Sequence, residues 1–260
     1  MTDYTFKDFT DIIATLRGEN GCPWDREQTY QTMKDTILEE SYEVIDACGS
    51  GGEKLADELG DLLLQIVLTS QIASELGEFD ISDVINLIAK KMIHRHPHVF
   101  GDVKADTSDE VLKNWDKIKR EDKKDSSVTK SLKDITKTLP SVLKAQKIQS
   151  RASKVGFDWE RTEDVFDKVY EEMGELKEAF DSKNQSAIRE ELGDLMFSII
   201  NLSRFLKVNP ELALNDSSEK FVNRFEKMEN EAKKEGKNLD ELSFEEMDKL
   251  WDKVKTYKNH

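Results

Sequence analysis

Residues 57–68 read Asp-Glu-Leu-Gly-Asp-Leu-Leu-Leu-Gln-Ile-Val-Leu, and residues 190–200 read Glu-Glu-Leu-Gly-Asp-Leu-Met-Phe-Ser-Ile-Ile. Each is an acidic ExxD leading into an apolar run too continuous for an alternating strand. Each is preceded by an ExxE, Glu40 to Glu43 in the first case and Glu172 to Glu175 in the second. On an α-helix residues three apart share a face, so each motif aims two carboxylates the same way and two facing helices converge four. With 4 prolines and 12 glycines in 260 residues, and helical spacing throughout, the pattern predicts an all-α fold.

The two copies extend beyond the acids. Gly21-Cys-Pro-Trp24 answers Gly156-Phe-Asp-Trp159, Lys91 and Arg95 answer Lys220 and Arg224, and Trp115 and Lys119 answer Trp251 and Lys255. The offsets between copies run in the same order throughout, 132 residues from Glu40 to Glu172 and 133 from Glu58 to Glu191. An internal duplication follows, giving two tandem helical-bundle domains at 1–120 and 139–260 joined by a polar linker at 121–138. Helices are expected at 5–18, 27–48, 53–76, 80–95 and 108–120, then at 140–153, 162–182, 185–206, 210–234 and 243–257. Ile37, Leu38, Ile45 and Cys48 are expected to mark the buried face of the second of these. Asp61 and Asp194 are each expected to open a largely buried helix.

Carboxylates at the edge of an apolar core repel one another and lose hydration unless they take up protons or a cation. Glu40, Glu43, Glu58 and Asp61 form one such set, and Glu172, Glu175, Glu191 and Asp194 the other. All donors are oxygens, which suits Mg²⁺ or Mn²⁺ and argues against zinc. A di-iron bundle would place His three residues after Glu, where this chain has acids. Lys220 with Arg224, and Lys91 with Arg95, lie four apart on one helix face and suit phosphate oxygens. Trp251 and Lys255 add a flat face for a base or ribose and a further cation, although a tryptophan serves equally well as core. His94, His96 and His98 flank Pro97 and read as a loop closing the preceding helix, since no fourth zinc ligand accompanies them.

The net charge of −15 opposes attraction to nucleic acid or anionic membrane. Cys22 and Cys48 are too few for a disulfide framework. The amino terminus lacks a signal pattern and no run reaches membrane-spanning length, so a cytoplasmic protein is expected. Phosphate-loop, Rossmann and nucleophile-elbow motifs are missing from the sequence, leaving metal-assisted attack by water as the chemistry on offer.

Gly-Cys-Pro-Trp-Asp, the two ExxE…ExxD sets, His-Arg-His-Pro-His-Val-Phe-Gly and the closing Trp-Asp-Lys-Val-Lys together resemble the tandem-domain MazG family of nucleoside triphosphate pyrophosphohydrolases, over nearly the whole chain. The resemblance implies a homodimer that hydrolyses NTP or dNTP to monophosphate and pyrophosphate with Mg²⁺, water attacking the α-phosphorus. It implies that the second half is the active unit: Glu172, Glu175, Glu191 and Asp194 would hold Mg²⁺, and Lys168, Lys220, Arg224, Trp251 and Lys255 would contact nucleotide. Glu171 or Glu172 would accept the water's proton. Glu40, Glu43, Glu58, Asp61, Lys91, Arg95, Trp115 and Lys119 would form a second site. That half has Thr36 where the other has Lys168, four residues before the first metal-binding glutamate. Two rivals remain: a catalytically idle nucleotide-binding protein, and a pyrophosphatase narrow for one nucleotide.

Overall fold

The structure, a computed structural model, describes residues 3–122 and 127–255. Among these all regular elements are helices. They run α1 Phe6–Arg17, α2 Pro23–Glu27, α3 Met33–Ala47, α4 Gly52–Glu75, α5 Ile81–Arg95, α6 Pro97–Phe100 and α7 Ser108–Glu121. There follow α8 Val128–Lys133, α9 Ser141–Ser153, α10 Thr162–Asp181, α11 Gln185–Phe205, α12 Pro210–Lys234, a 3₁₀ turn at Leu239–Glu241 and α13 Phe244–Lys255. The chain divides into two units, residues 1–124 and 125–260.

In the first unit α3 packs along α4, with α1 against α4. Ile13, Met33, Val67, Leu68 and Ile72 form its core, each large apolar side chain contributing about 1.5–3 kcal/mol relative to exposure. In the second unit α10 packs along α11, α9 lies against α11, and α12 pairs with α13. Met228, Ala232, Leu250 and Val254 make the core of that last pair, with Trp251 packed against it.

Local sequence sets where these helices begin. Asn184 accepts from the backbone N–H of Ser186 and Ala187 at 3.2 and 3.3 Å, and Asn209 caps α12 in the same way. Such caps stabilise a helix start by about 1 kcal/mol. The Asn184 cap starts α11 at Gln185, well before Glu191, so the acid sits inside the helix and faces α10.

Several expectations are corrected. Helix α3 starts at Met33 rather than 27, because Pro23 opens the separate short helix α2, and an extended Gln28 and a turn at 30–32 separate the two. Asp61 and Asp194 do not open their helices: α4 and α11 begin at Gly52 and Gln185, in polar turns that precede the apolar runs. Nor are those helices largely buried. Val67, Leu68 and Leu195 are inside, while Leu59, Leu63, Ile66, Leu192 and Met196 are exposed, the last at 52%. Ile37, Leu38, Ile45 and Cys48 are likewise exposed, Leu38 at 57%, and Met33 and Ala47 are the buried residues of α3. The reason is geometric: a pair of helices can bury only the stripe it turns to its neighbours, and the opposite apolar stripe stays open.

The histidine segment forms the short helix α6 rather than a loop. The ring of His96 meets Trp115 edge-on at 5.0 Å, and His94 lies 3.0 Å from Asp122. The stretch 121–138 lies partly outside the described residues, at 123–126. Of the remainder, Val128–Lys133 is helical and Ile135 is buried in the second unit. Residues 256 and 257, expected at the end of α13, also lie outside the described residues.

Candidate functional site

Helices α10 and α11 run side by side with their ExxE and ExxD motifs facing. Carboxylate oxygens of Glu172, Glu175 and Glu191 lie within 4.8 Å of one another. Glu172 is buried at 5% exposure, Glu191 half-buried and Glu175 exposed. Burial, then the charges of Glu175 and Asp194, push the Glu191 carboxyl up from its ordinary value. That is the signature of acids crowded together with too little positive charge. Asp194 is exposed and borders the same cavity as Glu172.

The cluster fits a hard divalent cation. Adjacent oxygens around octahedral Mg²⁺ lie about 3 Å apart and opposite ones about 4.2 Å, so side-chain shifts of about 1 Å would close a set spread over 4.8 Å. The donors are all carboxylate oxygens, as Mg²⁺ or Mn²⁺ prefers.

Lys168 sits one turn before Glu172 on α10. Its Nζ is 2.7 Å from Glu171 and 2.7 Å from Glu172, and the hydrogen bonds to these two glutamates raise its pKa well above the ordinary lysine value. The ammonium therefore stays charged beside the acids and offers a fixed cation at the mouth of the cluster. Glu171 itself is exposed.

The remaining predicted residues of this half stand on other helices. Lys220 is exposed and Arg224 half-buried on α12. Trp251 on α13 is half-buried, its ring 5.0 Å from that of Phe221, and Lys255 pairs with Asp252 at 2.8 Å. Trp251 is thus packed partly against that core. The cavity of about 620 Å³ next to the acids is bordered instead by Lys168, Glu172 and Asp194, together with residues of α9, α11 and the 156–159 turn.

The first half repeats the arrangement. Glu40, Glu43 and Glu58 bring carboxylate oxygens within 4.8 Å, and burial followed by the charge of Asp61 raises the Glu40 pKa. Lys91 is exposed. Arg95 is held against Asp122 at 3.3 Å and over the Trp115 ring at 5.5 Å. Lys119 is exposed at the end of α7.

Three contacts were beyond sequence reasoning. Gln65 donates to Glu40 at 3.3 Å from 25 residues away. Arg204 makes a paired contact with Asp158, one bond at 2.8 Å, anchoring the turn before α10 to α11. Gln149 donates to the Phe197 carbonyl at 2.7 Å. The repeat itself held one partial signal, since Asp158 lies within the Gly156–Trp159 motif.

Two segments, 28–100 and 161–232, match the MazG nucleotide pyrophosphohydrolase domain. The chain is 44% identical over 251 residues to the nucleoside triphosphate pyrophosphohydrolase/pyrophosphatase MazG of Thermotoga maritima, covering 96% of this chain and 95% of that protein. It is similarly 44% identical to the nucleoside triphosphate pyrophosphohydrolase of Escherichia coli K12, covering 94% of each. A third relative, the uncharacterized protein YabN of Bacillus subtilis, is 44% identical over 97% of this chain and 52% of its own length. With the matched segments spanning both acid clusters, the chain belongs to the MazG nucleotide pyrophosphohydrolase family.

Proposed function

We propose that this chain hydrolyses nucleoside triphosphates to the monophosphate and pyrophosphate at the acid cluster of its second half. The observation that carries the reading is the convergence of Glu172, Glu175 and Glu191 beside the charged Lys168. Near-full-length relatives named for this activity support it. Glu172, Glu175, Glu191 and Asp194 would hold Mg²⁺, and the chemistry it would supply there is neutralisation of phosphate charge and orientation of a water for attack at the α-phosphorus.

Lys168 gives the incoming phosphates a fixed cation. Lys220 and Arg224, on one face of α12, stabilise charge that develops on the phosphate oxygens as the bond breaks. Trp251 and Lys255 approach the nucleotide from α13. A carboxylate of the Glu171/Glu172 pair accepts the water's proton. The matching triad of Glu40, Glu43 and Glu58 with Asp61 supports a second cation site in the first half, with Lys91, Arg95, Trp115 and Lys119 as its surroundings.

The exposed apolar stripes of α3, α4, α10 and α11 support a homodimer in which they are covered, because contiguous open apolar surface is unfavourable in a monomer. Among the described residues no helix is long and apolar enough to cross a membrane, and we place the reaction in the cytoplasm.

The test is a panel of NTPs and dNTPs with graded Mg²⁺, followed by separation of products. Equimolar monophosphate and pyrophosphate are expected. Release of orthophosphate would put the attack elsewhere, and binding without turnover would favour the idle nucleotide-binding reading. Light scattering gives the oligomeric state.

A further inference from the structure

We propose that the cavity between α9, α10 and α11 receives the nucleobase, and that Gln149 accepts a hydrogen bond from the edge of that base. This rests on the nucleotide-hydrolysing reading above.

The cavity is about 620 Å³, within the range of small-molecule sites. Its charged end is the acid cluster, through Lys168, Glu172 and Asp194; its other lining residues include Phe157 and Trp159. A nucleotide whose phosphates meet the acids and their cation therefore has an apolar, aromatic-walled space within reach of its base.

Gln149 lines that space and is only 7% exposed. Its Nε2 donates to the Phe197 carbonyl at 2.7 Å, while its Oε1 is buried with no hydrogen-bond partner. A carbonyl oxygen can only accept, so this bond fixes which way the amide faces. The free atom is therefore an acceptor. A buried acceptor without a partner is uncommon and costly, and the side chain that carries it lines the cavity beside the acid cluster.

An acceptor alone calls for an N–H. Adenine and cytosine bring an exocyclic amine, guanine, uracil and thymine a ring imino group, so one side chain can serve several bases while rejecting a base whose edge has no donor.

The experiment uses the full chain and the reaction products, so that it reads binding without turnover. Dissociation constants are measured by calorimetry for AMP, for purine riboside 5′-monophosphate, which lacks the amine, and for pyrophosphate, which lacks the base. In the wild type AMP is expected to bind about five- to tenfold more tightly than the amine-free analogue. Gln149→Leu should erase that difference and leave pyrophosphate binding unchanged. Equal affinity of the two monophosphates in the wild type overturns the proposal and requires no variant. Loss of monophosphate and pyrophosphate binding together in Gln149→Leu also overturns it, as a merely structural effect. So does selective loss of AMP binding in Trp251→Ala with Gln149→Leu unaffected, which puts the base on α13. Failure to release pyrophosphate from NTP would count against the hydrolytic reading alone, since the product affinities stand apart from turnover.

Discussion

In the first half Glu40 meets the neutral amide of Gln65 at 3.3 Å; in the second, Glu172 meets the ammonium of Lys168 at 2.7 Å. Around both, three acids bring carboxylate oxygens within 4.8 Å of one another. Duplication has thus kept the acid cluster and varied the charge beside it. Where the second half has Lys168, the first has Thr36, whose hydroxyl donates to the Met33 carbonyl at 3.2 Å and stays with its own helix. Acids alone can hold a cation. Acids with a fixed ammonium can also draw in a triphosphate.

The sharpest way to break this comparison is to neutralise one acid in each half. Glu172→Gln should lower the steady-state rate by roughly a hundredfold or more, while Glu40→Gln should leave most activity, with folding followed by circular dichroism. If Glu40→Gln is the damaging change, the first half is the enzyme.

Removing the distinguishing cation comes next. Lys168→Ala should lower kcat/KM by about ten- to a hundredfold, the scale of a lost charged hydrogen bond. It should also strengthen binding of Mn²⁺ alone, measured by calorimetry, because a positive neighbour of the acids has gone. A fall in both would mean that Lys168 only holds the acids in place.

A smaller effect separates the basic pairs. Lys220→Ala and Arg224→Ala should each weaken triphosphate binding by about five- to tenfold and monophosphate binding less. Arg95, already held by Asp122 and Trp115, should show no such dependence on phosphate number when changed to Ala. Competition binding with mono-, di- and triphosphates reads all three.

The smallest effect concerns how each half closes its last helix. In the first, Arg95 on α5 reaches Asp122 beyond α7. In the second the signs are reversed, with Glu231 on α12 held at 2.6 Å by both Lys234 and Lys253. Hydrogen bonds from Lys234 and Lys253 lower the Glu231 pKa to about 2. A carboxyl depressed in the folded state stabilises above its unfolded pKa and loses that contribution as pH falls through the folded value. Glu231→Gln should therefore cause a small drop in Tm at pH 7, and the gap to wild type should close as pH falls from about 4.5 toward 2. A gap that persists at the acid end would assign the effect to packing.

The long helices and the acid triads were legible because both are periodic: spacing of three places Glu172 and Glu175 on one face whatever lies around them. Short helices such as α2 and α6 were not, since four or five residues carry no period. The exposure of Leu38 and Met196 was hidden for a different reason. Apolar spacing marks a stripe on a helix without saying how much of it a neighbouring helix covers. Gln65, Gln149 and the Arg204–Asp158 contact were beyond reach because their partners lie 25 to 48 residues away, and polar residues of this kind have no period to betray a tertiary partner.

Helix α8 and Ile135 change where the second module can be severed. Arg151 on α9 reaches back to the Ser131 carbonyl, and Ile135 is buried at 3% exposure. A fragment beginning at residue 139 would strip the module of a core side chain and leave a half-buried guanidinium without its acceptor. Protease nicks that leave the second half intact should therefore fall before residue 127, and the inherited module is longer at its leading edge than the matching motifs alone suggest.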